Sequence, residues 1–284
     1  MIKGIILDVD GVIVGEKIGF NSPFPNPKVI ERLKEIRKKG IVISLCTAKP
    51  YKSVEKIVSD AGLNNLHITD GGSVIINPMN HEILEKHIIG KQSSLEILDV
   101  CLKNHIYTEF YSVDDYFIQE NQKSDLTKVH AHILQSEAKV VSSLVREAEK
   151  QEIVKIMPIA KNEEDKNRVS ELLEPYTDKI TISWGVHPIA LPHLFAIITP
   201  KNVSKKQAAE RIISNYNFSK NELLGVGDSK SDWQFIELCN FAGSVENGAR
   251  ELKELIKNKR DGNWFVGKSV DENGILDIFD YFSL

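Results

Sequence analysis

Cysteine is scarce: Cys46, Cys101 and Cys239 are the only three in 284 residues. They stand far apart, form no CxxC pair and cannot all pair with one another. That excludes a disulfide framework and fits a reducing compartment, with each thiol filling core space rather than acting as a nucleophile. A surplus of one charge is missing too. Against 40 acidic residues stand 36 basic ones, a net charge of −4, so nothing points to nucleic acid as a partner. Apolar runs long enough to span a membrane are absent, and the first residues enter a strand pattern without the basic, apolar, small-residue order of an export leader. The expectation is a cytoplasmic protein with no nucleic acid and no membrane as partner. Histidine pairs at metal-ligand spacing are lacking; His130 and His132 come nearest, are only two apart, and are expected to be solvated.

What is there is ordinary globular material, 42% hydrophobic and 27% charged, long enough that a single core tends to split into two domains. The organising stretch is Lys3 to Val12. Ile5-Ile6-Leu7 is the short apolar run of a strand buried on both faces, and Gly11 allows a sharp turn just beyond it. Asp8 and Asp10 then lie at the carboxyl end of that strand, the edge where open α/β sheets bind ligands. Solvated turn acids are the alternative reading of these two.

Beyond a proline-bearing loop, Val29, Ile30, Leu33 and Ile36 recur at helical spacing until Gly40. Ile41–Leu45 is a second strand ending in Cys46-Thr47-Ala48-Lys49-Pro50, followed by a helix through Val54, Ile57, Val58 and Ala61 that Gly62 closes. Leu66–Thr69 reads as a third strand, and Asp70-Gly71-Gly72 as the turn into a hairpin strand at 73–76. The alternation predicts a doubly wound, Rossmann-like parallel α/β sheet. From residue 81 to 192 the pattern shifts to an inserted α+β domain: helices at 94–103, 140–149 and 163–173, strands at 106–111, 116–119, 153–159 and 179–184. A strand at 193–198 closes the insertion. The first pattern then resumes with an amphipathic helix after Ser204, a strand at 223–226, a helix through Phe235 and Leu238, a strand at 241–243 and a helix through Leu252 and Ile256. Residues 261–274 read as a polar connection to the last helix. The core is thus expected at 1–80 and 193–284.

Asp8 and Asp10, Thr47, Lys205, and Asp228 with Asp232 all fall where strands end or helices begin, and in a doubly wound sheet those ends converge. Gathered carboxylates repel one another unless a cation holds them. Hard oxygen ligands beside a phosphate select Mg²⁺ over zinc, and a lysine adds further positive charge. Such a set suits phosphoryl transfer, in which the protein positions the reactants and neutralises charge.

The run Ile5-Ile6-Leu7-Asp8-Val9-Asp10-Gly11-Val12 resembles the first signature of the haloacid dehalogenase-like superfamily, and later segments match its others in order. The resemblance implies that Asp8 is a nucleophile that becomes an aspartyl phosphate and that Asp10 is its acid and base. It makes Thr47 a hydroxyl donor to phosphate, with a helix cap as its structural alternative. Lys205 becomes the phosphate-binding lysine, with Lys206 competing. Gly225-Val226-Gly227-Asp228-Ser229-Lys230-Ser231-Asp232 resembles the fourth signature: Asp228 would ligate Mg²⁺ with the Asp8 carboxylate and the Asp10 main-chain oxygen, and Asp232 would complete or support the site. Asn247-Gly248-Ala249 resembles the final loop near the site, although a helix cap explains Asn247 equally well. The insertion looks like the α/β cap of the Cof-type branch, many of whose members act on sugar phosphates. Ser231 and Lys49 depart from the asparagine and arginine common there. Trp184, His187 and Tyr111 lie in the cap, where facing a substrate is one reading and core filling, the commoner place for aromatic residues, is the other.

What the resemblance implies is a Mg²⁺-dependent phosphatase of a small phosphorylated metabolite. A phosphomutase or phosphotransferase shares the signatures. A phosphate-sensing module of receiver type also combines acids, a hydroxyl and a lysine, but lacks a second acid two residues after the first and a cap of this size.

Overall fold

A computed structural model describes residues 1–284, the Pro188 side chain excepted. β1 (Gly4–Leu7) is buried at every position. α1 (Pro27–Lys38) follows, capped by Asn26, whose side chain accepts from the Lys28 amide, and it lays Val29, Leu33 and Ile36 on the sheet. β2 (Val42–Leu45) and α2 (Tyr51–Ala61) repeat the unit, and Gly62 ends α2 at φ 64°. β3 (His67–Thr69), β4 (Val74–Asn77) and β5 (Glu82–Lys86) make a small antiparallel sheet, tied to the end of β2 by a bridge between Cys46 and Ile68. β5 has no counterpart in the sequence reading. Four of its five residues are exposed, so no apolar alternation marks it.

The insertion runs through α3 (Lys91–Lys103), β6 (Tyr107–Tyr111), β7 (Tyr116–Gln119), α4 (Asp125–Leu134), β8 (Lys139–Val141), α5 (Leu144–Ala148), β9 (Lys155–Ala160), α6 (Glu163–Leu173), β10 (Ile180–Val186) and β11 (Leu194–Pro200). Its strands form one sheet in the order β10-β11-β9-β6-β7-β8, packed through Ile97, Phe110, Ile156 and Val169. The helix expected over 140–149 is instead a strand and a short helix. Val140 and Val141 pair in parallel with β7, and Ser143 caps α5 by accepting from the Arg146 amide. α4, also unforeseen, carries His130 into the interior at 3% exposure, contrary to the solvated site expected for it. β11 pairs with both β9 and β10, so this sheet is whole only as far as Pro200 and a boundary at 192/193 would cut it.

The chain then returns through α7 (Lys205–Asn215), β12 (Leu223–Gly227), α8 (Trp233–Ile236), β13 (Phe241–Val245), α9 (Arg250–Ile256), β14 (Trp264–Gly267) and α10 (Ile275–Tyr281). β14 is a half-buried edge strand inside the stretch expected to be a polar connection. The main sheet is parallel, in the order β14-β13-β12-β1-β2. The chain leaves β1 toward one edge and comes back at β12 on the other side. The crevice between their carboxyl ends is the switch point at which α/β sheets hold ligands.

Two buried polar contacts fix the loops around that crevice. Lys155 on β9 is fully buried; its Nζ donates to the Ala48 carbonyl at 2.7 Å and lies 3.0 Å from Asp70 Oδ1. It ties the six-stranded sheet to the loop after β2. His67, also fully buried, accepts from the Leu45 amide at Nδ1 (3.1 Å), and its Nε2 donates to the Leu63 carbonyl (2.9 Å). Only the neutral ring can make both bonds, and burial lowers its pKa from 6.5 to about 4. Between those values the unfolded chain binds a proton that the folded chain refuses. The stability present above pH 6.5 is therefore lost as pH falls toward 4, by roughly 3 kcal/mol in all. Urea midpoints are expected to fall across this window, and His67→Gln to flatten that part of the profile; an equally steep profile in the variant would refute the assignment.

Candidate active site

Asp8 follows β1 directly. Its amide donates to the Val226 carbonyl on β12 at 2.9 Å, which sets its buried carboxylate at the switch point. α7 supplies the cation. Ser204 caps this helix, and Lys205 Nζ donates to Asp8 Oδ1 at 2.8 Å and to Asp232 Oδ1 at 2.6 Å. Lys206 turns outward to Glu237 at 2.6 Å, so of the two lysines Lys205 is the one that reaches the acids.

Asp232 closes the turn after β12. Its Oδ2 accepts from the Asp228 amide (3.1 Å), the Ser229 amide (2.9 Å) and the Ser229 hydroxyl (2.8 Å). With Lys205 on its other oxygen, Asp232 is committed to holding the loop and the lysine. Asp228 Oδ2 lies against Gly11, where an added Cβ would sit 2.0 Å from that oxygen; with φ at +76°, Gly11 is required both by conformation and by space. Asp8, Asp228 and Asp232 offer oxygens within 4.8 Å of one another. Asn247 braces the acidic loop from the far side: its Nδ2 donates to the Gly11 carbonyl (2.9 Å) and its Oδ1 accepts from the Val270 amide (2.8 Å). It is not a helix cap, since Ala249 occupies that position of α9. Ser231, where asparagine is common in the resembled branch, shares a 2.7 Å hydrogen bond with the Ser229 hydroxyl.

Thr47 is buried just past β2, and its Oγ1 accepts from the Lys49 amide at 3.1 Å. Pro50, not Thr47, caps α2. Thr47 joins Asp8, Asp10, Lys205 and Asp228 around a cavity of about 90 Å³, roofed by Thr181, Ser183 and Ile197 of the inserted sheet. Asp10 stands at its rim with Lys49 Nζ 2.6 Å and His187 Nε2 3.4 Å from its Oδ1. Of the three cap residues singled out from sequence, His187 reaches the site and the other two do not. Tyr111 is buried in a separate network, donating to Glu109 Oε2 at 2.6 Å, while Glu109 Oε1 meets His130 Nδ1 at 2.9 Å. Trp184 packs on the insertion's own core under Lys166.

The electrostatics separate the two acids. Burial, reinforced by Asp232 and opposed by Lys205, pushes Asp8 up to about 7. Burial also raises Asp228 well above the carboxylate range, with Asp232 and Asp8 adding to it. Burial would lower Lys205, but Asp232 and Asp8 outweigh it and hold the ammonium well above its usual range. Burial would raise Asp10 as well; there Lys49, then His187, outweigh it and hold the carboxylate below its usual range. Neighbouring carboxylates with opposed shifts are the pattern of divided acid–base roles. One ammonium does not neutralise the oxygen cluster of Asp8 and Asp228, and an all-oxygen donor set of this kind fits a hard divalent cation.

The model of the haloacid dehalogenase-like hydrolase family matches residues 5–279. The chain belongs to that family. This haloacid dehalogenase-like hydrolase is 22% identical over 302 residues to the 5-amino-6-(5-phospho-D-ribitylamino)uracil phosphatase of Bacillus subtilis, covering 98% of this chain and 97% of that one. It is also 22% identical over 265 residues to the phosphoglycolate phosphatase of Staphylothermus marinus, covering 92% and 94%. Its fold matches a haloacid dehalogenase-like hydrolase from Bacteroides thetaiotaomicron at a TM-score of 0.82 and 16% identity, over 99% of this chain and all of the other. A sugar phosphatase of haloacid dehalogenase subclass IIB matches at 0.78 and 21%, over 99% of each chain. The doubly wound core with an inserted α/β cap is therefore that of the subclass the sequence resembles. No helix among the described residues is long and apolar enough to cross a membrane.

Proposed function

We propose that this hydrolase is a Mg²⁺-dependent phosphatase of small phosphate monoesters that works through an aspartyl phosphate on Asp8. The observation that carries the reading is the placement of Asp8, a buried carboxylate at the carboxyl end of β1 with the Lys205 ammonium on one oxygen and Asp228 in the same oxygen cluster. The Asp8 and Asp228 carboxylates and the Asp10 main-chain oxygen would hold Mg²⁺, which when bound draws charge from the phosphoryl oxygens. Lys205 and the Thr47 hydroxyl hold the phosphoryl group. Asp8 attacks phosphorus and the bond to the leaving oxygen breaks, while Asp10, held as a carboxylate, takes a proton from the incoming phosphate monoanion and passes it to that oxygen. Asp10 then takes a proton from water as the water attacks phosphorus and releases Asp8 and inorganic phosphate. The six-stranded insertion, with its boundary after Pro200, acts as the domain over the leaving group, since its β10 and β11 roof the cavity.

The named relatives act on different esters, a ribitylaminouracil phosphate and phosphoglycolate. Membership of one family by relatives named for different esters supports one reaction with different leaving groups. Hydrolysis of p-nitrophenyl phosphate with Mg²⁺ is the direct test. Turnover should fall to background in excess EDTA and return with added Mg²⁺; undiminished turnover in EDTA would overturn the metal assignment.

A further inference from the structure

The peptide unit between Ala48 and Lys49 is hydrogen-bonded at both ends. Its carbonyl accepts from Lys155 Nζ at 2.7 Å, and its N–H donates to Thr47 Oγ1 at 3.1 Å. A planar trans peptide points these two groups in opposite directions, so ammonium, peptide and hydroxyl form one chain in which every donor faces the same way. That chain ends at the cavity over Asp8. The bond from Lys49 is the only one at Thr47 Oγ1 among the described residues, and in it the oxygen accepts. The hydroxyl proton is left for whatever occupies the cavity that Thr47 lines with Asp8 and Lys205.

The ammonium at the head of the chain is held in place. Lys155 is fully buried on β9, with Asp70 Oδ1 3.0 Å from its Nζ and the Tyr111 ring centroid 3.7 Å away. Its three N–H groups thus meet a carbonyl, a carboxylate and an aromatic face. β9 is an inner strand of the inserted sheet, flanked by β6 and β11. The carbonyls on either side of Ala48 are served by the core itself: that of Thr47 accepts from the Gly71 amide at 3.1 Å, and that of Lys49 from the Asp70 amide at 3.0 Å. Of these three successive carbonyls, only the middle one takes its donor from the insertion. It is also the one whose peptide reaches the Thr47 hydroxyl.

A threonine hydroxyl that accepts from the amide two residues on makes an ordinary local turn, which forms without a lysine. A charged donor on the carbonyl adds direction and strength. It fixes the peptide plane and polarises the unit, so that the N–H binds Oγ1 more strongly and the hydroxyl in turn donates more strongly. We propose that Lys155 is a positioning residue of the reaction, holding Thr47 as a hydrogen-bond donor to the phosphoryl group without itself touching the substrate. Resting on the phosphatase reading, this role deepens it: part of the phosphate site is set by the inserted domain.

The test is a double-mutant cycle on kcat/KM for p-nitrophenyl phosphate with Mg²⁺, made on the full chain. Thr47→Val, which deletes the hydroxyl at nearly constant shape, should lower kcat/KM roughly 10- to 100-fold, and Lys155→Met roughly 5- to 20-fold. Once the hydroxyl is gone, Lys155→Met should cost less than about 2-fold more. A lysine that only tied the loop down would also disturb Lys49, and through it Asp10, 2.6 Å away. Its loss would then lower turnover by the same factor with or without the hydroxyl. That additive outcome would overturn the proposal, as would a Lys155→Met chain as active as the wild type. Removing a buried cation can unfold a chain, so the cycle is repeated on Asp70→Asn, where no carboxylate is orphaned; asparagine keeps the residue 70 amide and tolerates the φ of 51° there. Failure of Lys155→Met to fold on both backgrounds would mark the lysine as structural and overturn the positioning role. Mg²⁺-dependent hydrolysis by the wild type leaves the phosphatase reading standing in each of these cases, and its absence would overturn both.

Discussion

Asp8→Asn is expected to give a folded protein that takes up no phosphoryl group and turns over p-nitrophenyl phosphate roughly 10⁴- to 10⁶-fold more slowly than the wild type, the scale on which removing a nucleophile acts. Asparagine has the shape of aspartate, so the hydrogen bond from the residue 8 amide to Val226 is kept. Lys205 retains Asp232 at 2.6 Å. Stability should move the other way from activity. The wild-type carboxylate is pushed up to about 7 by burial and by Asp232. At pH 8 without metal, its ionised form is therefore one that the fold disfavours. The amide removes that cost, so the metal-free variant at pH 8 should melt no lower than the wild type. As pH falls from about 7 toward 3.8 the folded carboxyl holds a proton that the unfolded one has lost, the cost fades across that window, and the two melting curves should draw together. Thermal melts across pH 4–8, run beside activity assays, check both halves. A variant that melted well below the wild type at pH 8 would show that Asp8 is needed for structure and would weaken its assignment as the reacting group.

The parts of this site that were legible in the sequence are those set by one local junction. Asp8 and Asp10 follow a short apolar run that reads as a covered strand, with Gly11 turning the chain behind them. Lys205 follows a serine cap, and Asp228 and Asp232 flank a glycine-rich strand end. In each case a few neighbouring residues decide where the side chain stands, and the sheet's strand order brings the junctions together. Residues whose roles depend on a distant partner were not legible. Asn247 looked equally like a helix cap because its two partners, Gly11 and Val270, are 236 and 23 residues away. Lys155 sits in an apolar strand and gives no local sign that it reaches Ala48, 107 residues earlier. His130 appeared to be a surface residue because its partner Glu109 lies on another strand. The strands missed altogether, β5, β8 and β14, lie at sheet edges or are half exposed, so their apolar residues are too few to set a period.

Asp10→Asn should fail in a different way from Asp8→Asn. In the wild type Lys49 and His187 hold Asp10 as a carboxylate against the effect of its burial, the state required of a base that activates water. The asparagine variant keeps Asp8, Thr47 and Lys205 and loses the proton partner. With p-nitrophenyl phosphate, whose leaving group needs little protonation, Asp8 should still be phosphorylated, though slowly. Water attack should then fall by roughly 10²- to 10⁴-fold, so labelled phosphoenzyme accumulates instead of turning over. With an alkyl phosphate, whose poorer leaving group needs the acid, the first step fails as well and no label appears. The variant also leaves the buried Lys49 ammonium facing a neutral amide, a loss of about 3 kcal/mol if it is unrelieved. Labelling should therefore be done at a temperature where its melting curve shows a folded protein. Acid quenching of wild type, Asp8→Asn and Asp10→Asn after exposure to labelled aryl phosphate, with the modified peptide mapped by mass spectrometry, reads these outcomes. Label at Asp8 in the Asp10 variant and none in the Asp8 variant is the expected pattern. Label on Ser44 or Thr47 would move the nucleophile from β1 to the end of β2, and with it the whole assignment of which acid attacks and which transfers protons.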